Sequence, residues 1–238
     1  MPNEQNYVSL SVADGTTMFA YTAVPAGQGP FPGLILFQEA FGVNSNIRNL
    51  ADRFAAEGYV VIAPELFHRT APKGFEGSYT DFAAIAPHFA GINDELLGHD
   101  ARAAFDWLQN NPLVRKGDIA STGYCMGGRA SFLANSLLPL KAAISYYGGR
   151  IAPDLVKRAP SLHGPMLFFW GGLDKHIPHE HVETVTGELK AAGKHFINVE
   201  ISYADHGFFN EEKPVYNPDA AAEAWALTLA FLKQHTGK

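Results

Sequence analysis

A hexapeptide near the middle of the chain, Gly-Tyr-Cys-Met-Gly-Gly at residues 123–128, restricts the fold more than any other stretch. Residues 118–122 before it are predicted to form a short buried strand, and residues 129–135 after it a helix. A strand, a sharp turn and a helix are the setting of a nucleophile elbow, which holds one side chain on a strained backbone. Gly123 and Gly127 fit such a turn, because a Cβ atom at either position would collide with the neighbouring strand or helix.

Cys125 stands at the centre of the hexapeptide and is the single cysteine of the chain. The helix after it would direct its free N–H groups at the sulfur and at an oxyanion formed beside it. A second interpretation also fits the motif, namely a buried cysteine that acts as a small hydrophobic side chain in a glycine-rich turn. The choice between a nucleophile and a packing residue depends on the side chains that stand at the ends of the other strands.

Predicted strands and helices alternate along most of the chain. The strands after the N-terminal region are residues 33–37, 59–63, 118–122, 142–147, 166–170 and 196–201. Five helices are predicted between and after these strands. Three have clear ranges: residues 94–110, residues 129–135 and Pro178 to about residue 192. The first helix is capped by Asn44 or Ser45 and stops at Gly58, and the last is capped by Asp219. Such alternation is typical of a mostly parallel sheet with helices on both faces.

Two further regions complete the prediction. Residues 7–12 and 17–24 flank a hairpin turn signal at Asp14-Gly15 and predict an N-terminal β-hairpin. Residues 65–91 are irregular, rich in aromatic side chains and predicted to hold one short helix, and long loops of this kind often belong to binding sites. We therefore expect one α/β domain over residues 1–238, a usual size for a single domain of this class.

Composition and charge exclude several kinds of function. The formal net charge of −6 argues against a nucleic acid or an anionic membrane as the partner. A single cysteine excludes an internal disulfide and a cysteine-rich zinc site. The chain has no apolar run approaching the roughly 20 residues of a membrane span, and residues 1–6 show no secretory signal. The expectation is a cytoplasmic protein.

Three chemically suited side chains each come after a different predicted strand. Cys125, Asp174 and His206 stand just past their strands, and in open parallel sheets sites lie beyond these carboxyl ends. Nucleophile, acid and histidine is the chain order of α/β-hydrolases. In such a triad the histidine takes the proton of the nucleophile, and the carboxylate orients and stabilises the imidazole. The three together predict a catalytic triad.

The loop after residue 37 is expected to lie beside the elbow. The backbone N–H groups of Ala40 and Met126 are then the candidates for an oxyanion hole. Glu39 stands next to them. A carboxylate at that place would hydrogen-bond the thiol of Cys125 and keep it protonated at rest.

Five motifs are spread over nearly the whole chain: Gln-Glu-Ala-Phe-Gly-Val-Asn at 38–44, Gly-Tyr-Cys-Met-Gly-Gly at 123–128, Tyr-Tyr-Gly at 146–148, Gly-Gly-Leu-Asp at 171–174 and His-Gly-Phe at 206–208. Together they resemble the dienelactone hydrolase (carboxymethylenebutenolidase) family of α/β-hydrolases. The resemblance implies the α/β-hydrolase fold and a Cys-Asp-His triad that opens an enol-lactone. It also implies that Glu39 holds the resting thiol, and that Phe41 and Tyr147 help to line the pocket.

The resemblance implies neither a metal nor an organic cofactor, and it points to a small lactone or ester as the substrate. We expect a monomer or a homodimer. One feature departs from the family, whose best-known members bind the substrate carboxylate with arginines, one of them shortly after the histidine. Here residues 207–212 are acidic and contain no arginine, so Arg69 and Lys73 in the irregular segment are the candidate substitutes. A neutral ester, with an apolar or aromatic acyl group, is therefore expected to serve at least as well as dienelactone.

Three other interpretations compete with a hydrolase of this kind. Class I glutamine amidotransferases share the cysteine motif but place an acid two residues after the histidine, where this chain has Phe208. The second is a metal site formed by Asp174, His176, His179 and His181. A helix that begins near Pro178 would, however, point the side chains of His179 and His181 in different directions. The third is a non-catalytic ligand-binding protein of the same fold.

Overall fold

An eight-stranded sheet forms the centre of the molecule in a computed structural model that describes residues 6–237. Its strands are β1 (Tyr7–Ser11), β2 (Thr17–Ala23), β3 (Phe31–Phe37), β4 (Val60–Pro64), β5 (Val114–Tyr124), β6 (Ala143–Tyr146), β7 (Met166–Gly171) and β8 (Phe196–Ile201). Residues 1–5, which carry most of the segment predicted to lack a secretory signal, and residue 238 lie outside the described residues.

The sheet is mostly parallel, as predicted. Its order is β1-β2-β4-β3-β5-β6-β7-β8. β1 pairs antiparallel with β2, and β2 with β4, so the predicted N-terminal hairpin is confirmed. All pairs from β4 to β8 are parallel. β5 therefore lies near the middle, with β3 on one side and β6, β7 and β8 on the other.

Helices cover both faces of the sheet. They are α1 (Ser45–Ala56), α2 (Phe82–Ala90), α3 (Asp94–Asn110), α4 (Met126–Leu137), α5 (His179–Ala191) and α6 (Pro218–His235). α1 and α6 meet through the rings of Phe54 and Trp225, whose centroids are 4.7 Å apart, while α3 packs against α4. Of the described helices, none is long and apolar enough to cross a membrane.

The N-cap residues of α1 and α6 test two predictions, of which one is confirmed and one is wrong. Asn44 caps α1, because its side chain accepts a hydrogen bond from the N–H of Ile47. For α6 the prediction of Asp219 is wrong: Asn217 is the cap, accepting from the N–H of Ala220 at 3.1 Å. Pro218 takes the first helical position, where a missing N–H costs nothing, and this moves the cap two residues earlier.

β3 shows why the sheet gives a rigid base to the site. Leu34, Ile35, Leu36 and Phe37 are all fully buried, as expected of a central parallel strand covered on both faces. The irregular segment after β4 contains the one short helix predicted there, α2. The strands at the site all run parallel, so their carboxyl ends lie at the same edge of the sheet. These strands are β3, β5, β6, β7 and β8.

Candidate active site

The hexapeptide forms the predicted turn between β5 and α4. Cys125 has φ 55° and ψ −117°, a left-handed conformation that is costly for a residue with a side chain. A Cβ atom at Gly123 would overlap the carbonyl of Gly127, and one at Gly127 would overlap the carbonyl of Phe37. The predicted need for glycine at both positions is confirmed. The tight packing of α4 against β3 and β5 thus holds Cys125 at the edge of the sheet.

Asp174 and His206 lie in hydrogen-bonding contact at the same edge. Nδ1 of His206 is 2.7 Å from Oδ2 of Asp174, whose side chain is 2% exposed. The other carboxylate oxygen, Oδ1, accepts the backbone N–H groups of His176 at 2.7 Å and Ile177 at 3.2 Å. Because both oxygens are engaged, the carboxylate fixes the orientation of the imidazole.

The electrostatic surroundings favour the protonated form of His206. Burial by itself lowers the pKa of this ring, but the hydrogen bond to Asp174 and the neighbouring Cys125 side chain outweigh burial and raise the pKa to about 10. A histidine held in this way retains a proton that it has taken from a nearby sulfur. The carboxylate of Asp174 and the side chain of Cys125, which were predicted to flank the imidazole, therefore both lie beside it.

Two backbone N–H groups beside Cys125 remain available for an anion. Ala40 lies in the loop after β3, and Met126 is the first residue of α4, so its N–H has no partner inside the helix. Neither N–H donates a hydrogen bond to another residue in the part of the chain that the structure describes. Both residues border the cavity above Cys125, as an oxyanion hole requires.

Glu39 is buried, with 1% of its side chain exposed, and is held by three partners. Asn210 donates to Oε2 at 2.6 Å, Tyr147 donates to Oε1 at 3.4 Å, and Nζ of Lys213 lies 3.5 Å from Oε1. Among residues 6–237 no hydrogen bond joins Glu39 to Cys125, and the carboxylate is bound by Asn210, Tyr147 and Lys213 instead. Its predicted influence on the thiol stays a prediction.

A cavity of about 870 Å³ opens over Cys125 and His206. Phe41 lines it, as predicted. Tyr147 does not, and this prediction is corrected: its side chain is fully buried, contacts the ring of His206 at a centroid distance of 5.1 Å and donates to Glu39. Burial and then the charge of Glu39 raise the pKa of Tyr147 well above its ordinary value, so the phenol stays a hydrogen-bond donor.

Arg69 and Lys73 also lie away from the cavity, and their predicted contact with substrate is corrected. The Arg69 guanidinium donates to Asp14 at 2.7 Å and to both oxygens of Asp100 at 2.8 and 2.9 Å. It therefore joins the hairpin turn to α3. Nζ of Lys73 lies 4.5 Å from the ring centre of Phe19. The partners of Arg69 are 55 and 31 residues away in sequence, so no local pattern indicates them.

Three cationic side chains that the sequence interpretation missed line the cavity instead: Arg129, Arg150 and Lys213. Each already has an acidic partner. Arg129 lies 2.6 Å from Asp94, Arg150 lies 2.9 Å from Asp154, and Lys213 lies 3.5 Å from Glu39. Lys213 comes directly after the acidic run that was taken to exclude a cation after His206, and Arg129 comes directly after the hexapeptide; both signals were present in the sequence.

The alternative metal cluster is not assembled. No group of three or more histidine, cysteine, aspartate or glutamate side chains that could hold a metal ion occurs within residues 6–237. His179 instead lies 3.5 Å from Glu183 and 3.6 Å from Glu200, while His176 packs against the ring of His206.

Comparison with known proteins agrees with this geometry. The model of the dienelactone hydrolase family matches residues 18–236. A "Putative carboxymethylenebutenolidase" of Escherichia coli O157:H7 is 35% identical, over 95% of this chain and 86% of its own length. One from Synechocystis sp. is 36% identical, over 86% of this chain and 87% of its own.

A solved structure gives the same result. The crystal structure of a "Putative Dienelactone Hydrolase" from Klebsiella pneumoniae subsp. pneumoniae MGH 78578 is 32% identical, with a TM-score of 0.85, and the match covers 96% of this chain and 98% of that one. The predicted α/β-hydrolase fold and the predicted enzyme class, a carboxylic ester hydrolase, are confirmed, which removes the support for a non-catalytic protein. The chain belongs to the dienelactone hydrolase family.

Proposed function

We propose that the protein opens lactones or cleaves small neutral carboxylic esters with Cys125 as the nucleophile. The observation that carries this proposal is the 2.7 Å contact of His206 with a fully engaged Asp174, next to a cysteine on a strained turn. A cysteine that served only for packing would need neither the strained backbone nor an oriented histidine beside it.

The first half of the reaction forms an acyl-enzyme. The proton of the Cys125 thiol passes to His206, whose raised pKa holds it there as an imidazolium, and the resulting thiolate attacks the carbonyl carbon of the substrate. A C–S bond forms, and the electron pair of the C=O bond moves to the oxygen, which the N–H groups of Ala40 and Met126 receive. When this intermediate collapses, the C–O bond breaks and His206 gives its proton to the leaving oxygen. In a lactone the alcohol formed stays attached to the acyl group.

The second half releases the acid. His206 removes a proton from a water molecule as the water oxygen attacks the thioester carbon. The C–S bond then breaks, and the sulfur receives the proton back from the imidazolium. Asp174 stabilises the charged imidazole in both halves but does not itself take up the proton. His206 and Cys125 therefore carry every proton transfer on the enzyme, and both are restored to their starting forms at the end of the cycle.

The charges around the cavity favour a neutral substrate. Arg129, Arg150 and Lys213 would all attract a carboxylate, but each faces an acidic partner. A substrate anion would compete with these carboxylates for the cations, and therefore gains less than the roughly 1.5–3 kcal/mol of a free charged hydrogen bond. A neutral ester meets no such competition.

Glu39 is proposed to modulate the thiol from beside the oxyanion loop. Its carboxylate is buried beside the oxyanion loop, where Asn210 and Lys213 bind it. A movement of the side chain towards the sulfur would keep the thiol protonated until the substrate enters.

The experiment that tests the proposal is a panel of neutral esters and lactones with the purified protein and Cys125→Ala. We expect hydrolysis by the parent, an acyl group on Cys125 when the reaction is quenched and analysed by mass spectrometry, and no turnover by the variant. Matching circular dichroism spectra would show that the variant is folded. Unchanged turnover by Cys125→Ala would overturn the assignment.

A further inference from the structure

Helix α2 is apolar and yet largely exposed. It reads Phe-Ala-Ala-Ile-Ala-Pro-His-Phe-Ala, and Ile85 is buried while its other residues are partly or fully exposed. Phe82 has 57% of its surface exposed, more than the other large hydrophobic residues described. An apolar surface that the protein itself leaves open indicates a site for an apolar ligand.

This exposed surface faces the cavity above Cys125. Phe82, Phe89 and Ala90 of α2 line the cavity together with Ile92 and Leu97, and we call these five residues the α2 wall. The rings of Phe82 and Phe89 have centroids 6.5 Å apart and are tilted by 54°, which leaves a broad aromatic surface rather than a closed stack. A ligand chain that lies on this wall leaves water for an apolar environment.

Another part of the cavity lining carries polar side chains that follow β6, β7 and β8. Arg150 and Asp154 come after β6, His176 after β7 and His206 after β8, and we call these four residues the β6–β8 rim. β6, β7 and β8 lie on one side of β5 in the sheet, and β3 lies on the other. Cys125, at the end of β5, therefore separates the rim from the β3 side.

α2 is attached to the β3 side. Ile85 packs against Gly77, where an added Cβ would come within 2.8 Å of its Cγ1 and Cδ1 atoms. The N–H of Gly77 donates to the carbonyl of Phe41, in the loop after β3, at 2.9 Å. The α2 wall and His206 consequently approach Cys125 from different directions.

The chemistry of the reaction assigns each half of the substrate to one of these sides. His206 must give its proton to the leaving oxygen, so the alcohol part lies towards the rim. From this geometry we propose that the α2 wall is the acyl-binding subsite and that it selects esters of extended apolar or aromatic acids. The proposal rests on the proposed function, because the rim is the alcohol side and the α2 wall the acyl side only if His206 protonates the leaving oxygen.

The size of the cavity agrees with this assignment. At about 870 Å³ it falls in the upper part of the range of roughly 300–1,000 Å³ typical of small-molecule sites. On this proposal a short acyl group attached to Cys125 gains little from Phe82. An acyl chain of several methylenes, or a phenyl-substituted one, reaches the wall and buries its apolar surface there.

The experiment uses two series of neutral esters. The first keeps nitrophenol as the leaving group and lengthens the acyl chain from acetate to octanoate; the second keeps the acetyl group and lengthens the alcohol. In the parent, kcat/KM should rise along the first series, by up to about fourfold for each methylene that becomes fully buried. In Phe82→Ser and Phe89→Ser the octanoate-to-acetate ratio should fall about tenfold or more, whereas the ratios along the alcohol series should not change with chain length.

Two further variants make the result specific. Val24→Ser removes a comparably exposed apolar side chain, 47% exposed and outside the cavity, and should leave every ratio unchanged. Gly77→Ala leaves the wall residues intact but forces Ile85 to move, so it should lower the octanoate-to-acetate ratio by displacing α2.

The possible failures are distinguishable. An unchanged octanoate-to-acetate ratio in both phenylalanine variants, or a response along the alcohol series instead, would overturn the acyl subsite while acylation of Cys125 persists. Absence of any acyl group on Cys125 in the parent would overturn the proposed function itself.

Discussion

The side-chain amide of Asn210 donates to Oε2 of Glu39 across 2.6 Å and holds a fully buried carboxylate next to the candidate oxyanion hole. On its other oxygen the same carboxylate faces Lys213. Glu39 is thereby linked to the segment that carries His206, although the two are far apart in sequence. Its predicted influence on the thiol of Cys125 can be tested by replacing the carboxylate.

Replacing Glu39 should therefore make the free enzyme more reactive towards alkylating agents. A carboxylate near the sulfur disfavours the thiolate by charge repulsion, and the thiolate is the reactive form. Glu39→Gln, which retains the hydrogen-bonding shape, and Glu39→Ala should both react faster with iodoacetamide at neutral pH. Glu183→Gln, on the exposed face of α5, is the matched control; equal rates in all four proteins would remove Glu39 from this role.

Removing the acid of the triad should reduce turnover without unfolding the protein. In Asp174→Asn the amide presents a donor to Nδ1 of His206 and favours the wrong tautomer, so kcat should fall by up to about 10⁴-fold. His206→Ala should also lose orders of magnitude. Steady-state kinetics with a nitrophenyl ester measure both losses, and Asp205→Asn, one residue before the histidine, tests whether any nearby charge has the same effect.

The raised pKa of His206 also makes stability depend on pH. Its folded-state pKa of about 10 lies above the ordinary value of 6.5, so the folded protein holds this proton more tightly than the unfolded chain. The stabilisation is complete below about pH 6.5 and is lost as the pH rises through about 10. Urea unfolding across this range should show a steeper fall for the parent than for His206→Gln; parallel curves would contradict the assignment of the pKa.

Arg69 should matter for stability and not for substrate binding. Arg69→Ala leaves Asp100, with 1% of its side chain exposed, without its bidentate partner, and breaking a buried pair in this way costs roughly 3–5 kcal/mol. Arg102→Ala breaks an exposed pair with Asp106 and should cost less than about 1 kcal/mol. Urea unfolding compares the two; a raised KM with unchanged stability in Arg69→Ala would restore it as a substrate-binding residue.

A neutral ester should be hydrolysed at least as efficiently as dienelactone. The reason is that the cations around the cavity are already paired with carboxylates. The measurement is the ratio of kcat/KM values for a nitrophenyl ester and dienelactone in the parent and in Lys213→Met. A strong preference for dienelactone that Lys213→Met abolishes would mean that this lysine leaves Glu39 to bind the substrate anion.

The parts of the structure that could be predicted are those encoded locally. The strand, turn and helix around Cys125 are neighbours in sequence, and the parallel topology then places the residues after β7 and β8 at the same edge. The closeness of Asp174 and His206 could therefore be predicted without knowledge of the packing. Asn44 and the hairpin turn at Asp14-Gly15 result from equally local rules.

The parts that could not be predicted depend on partners far away in the chain. Nothing near Arg69 in sequence indicates that Asp14 and Asp100 will enclose it. Tyr147 stands after a strand like the other site residues, but its left-handed φ of 37° accompanies a side chain buried against Glu39 and His206, not one exposed to the cavity. Such choices depend on tertiary packing, which a motif does not contain.

The attachment of α2 by Ile85 has a consequence for how enzymes of this design diversify. Substitutions on the exposed side of α2 hardly change the buried surface area of the folded protein, so their cost in folding stability is small. Substitutions around Cys125, Asp174 and His206 disturb close-packed strand ends and are costly. If α2 binds the acyl group as proposed, substitutions in this one short helix would change which acids are accepted and would leave the strand ends that carry the candidate triad undisturbed.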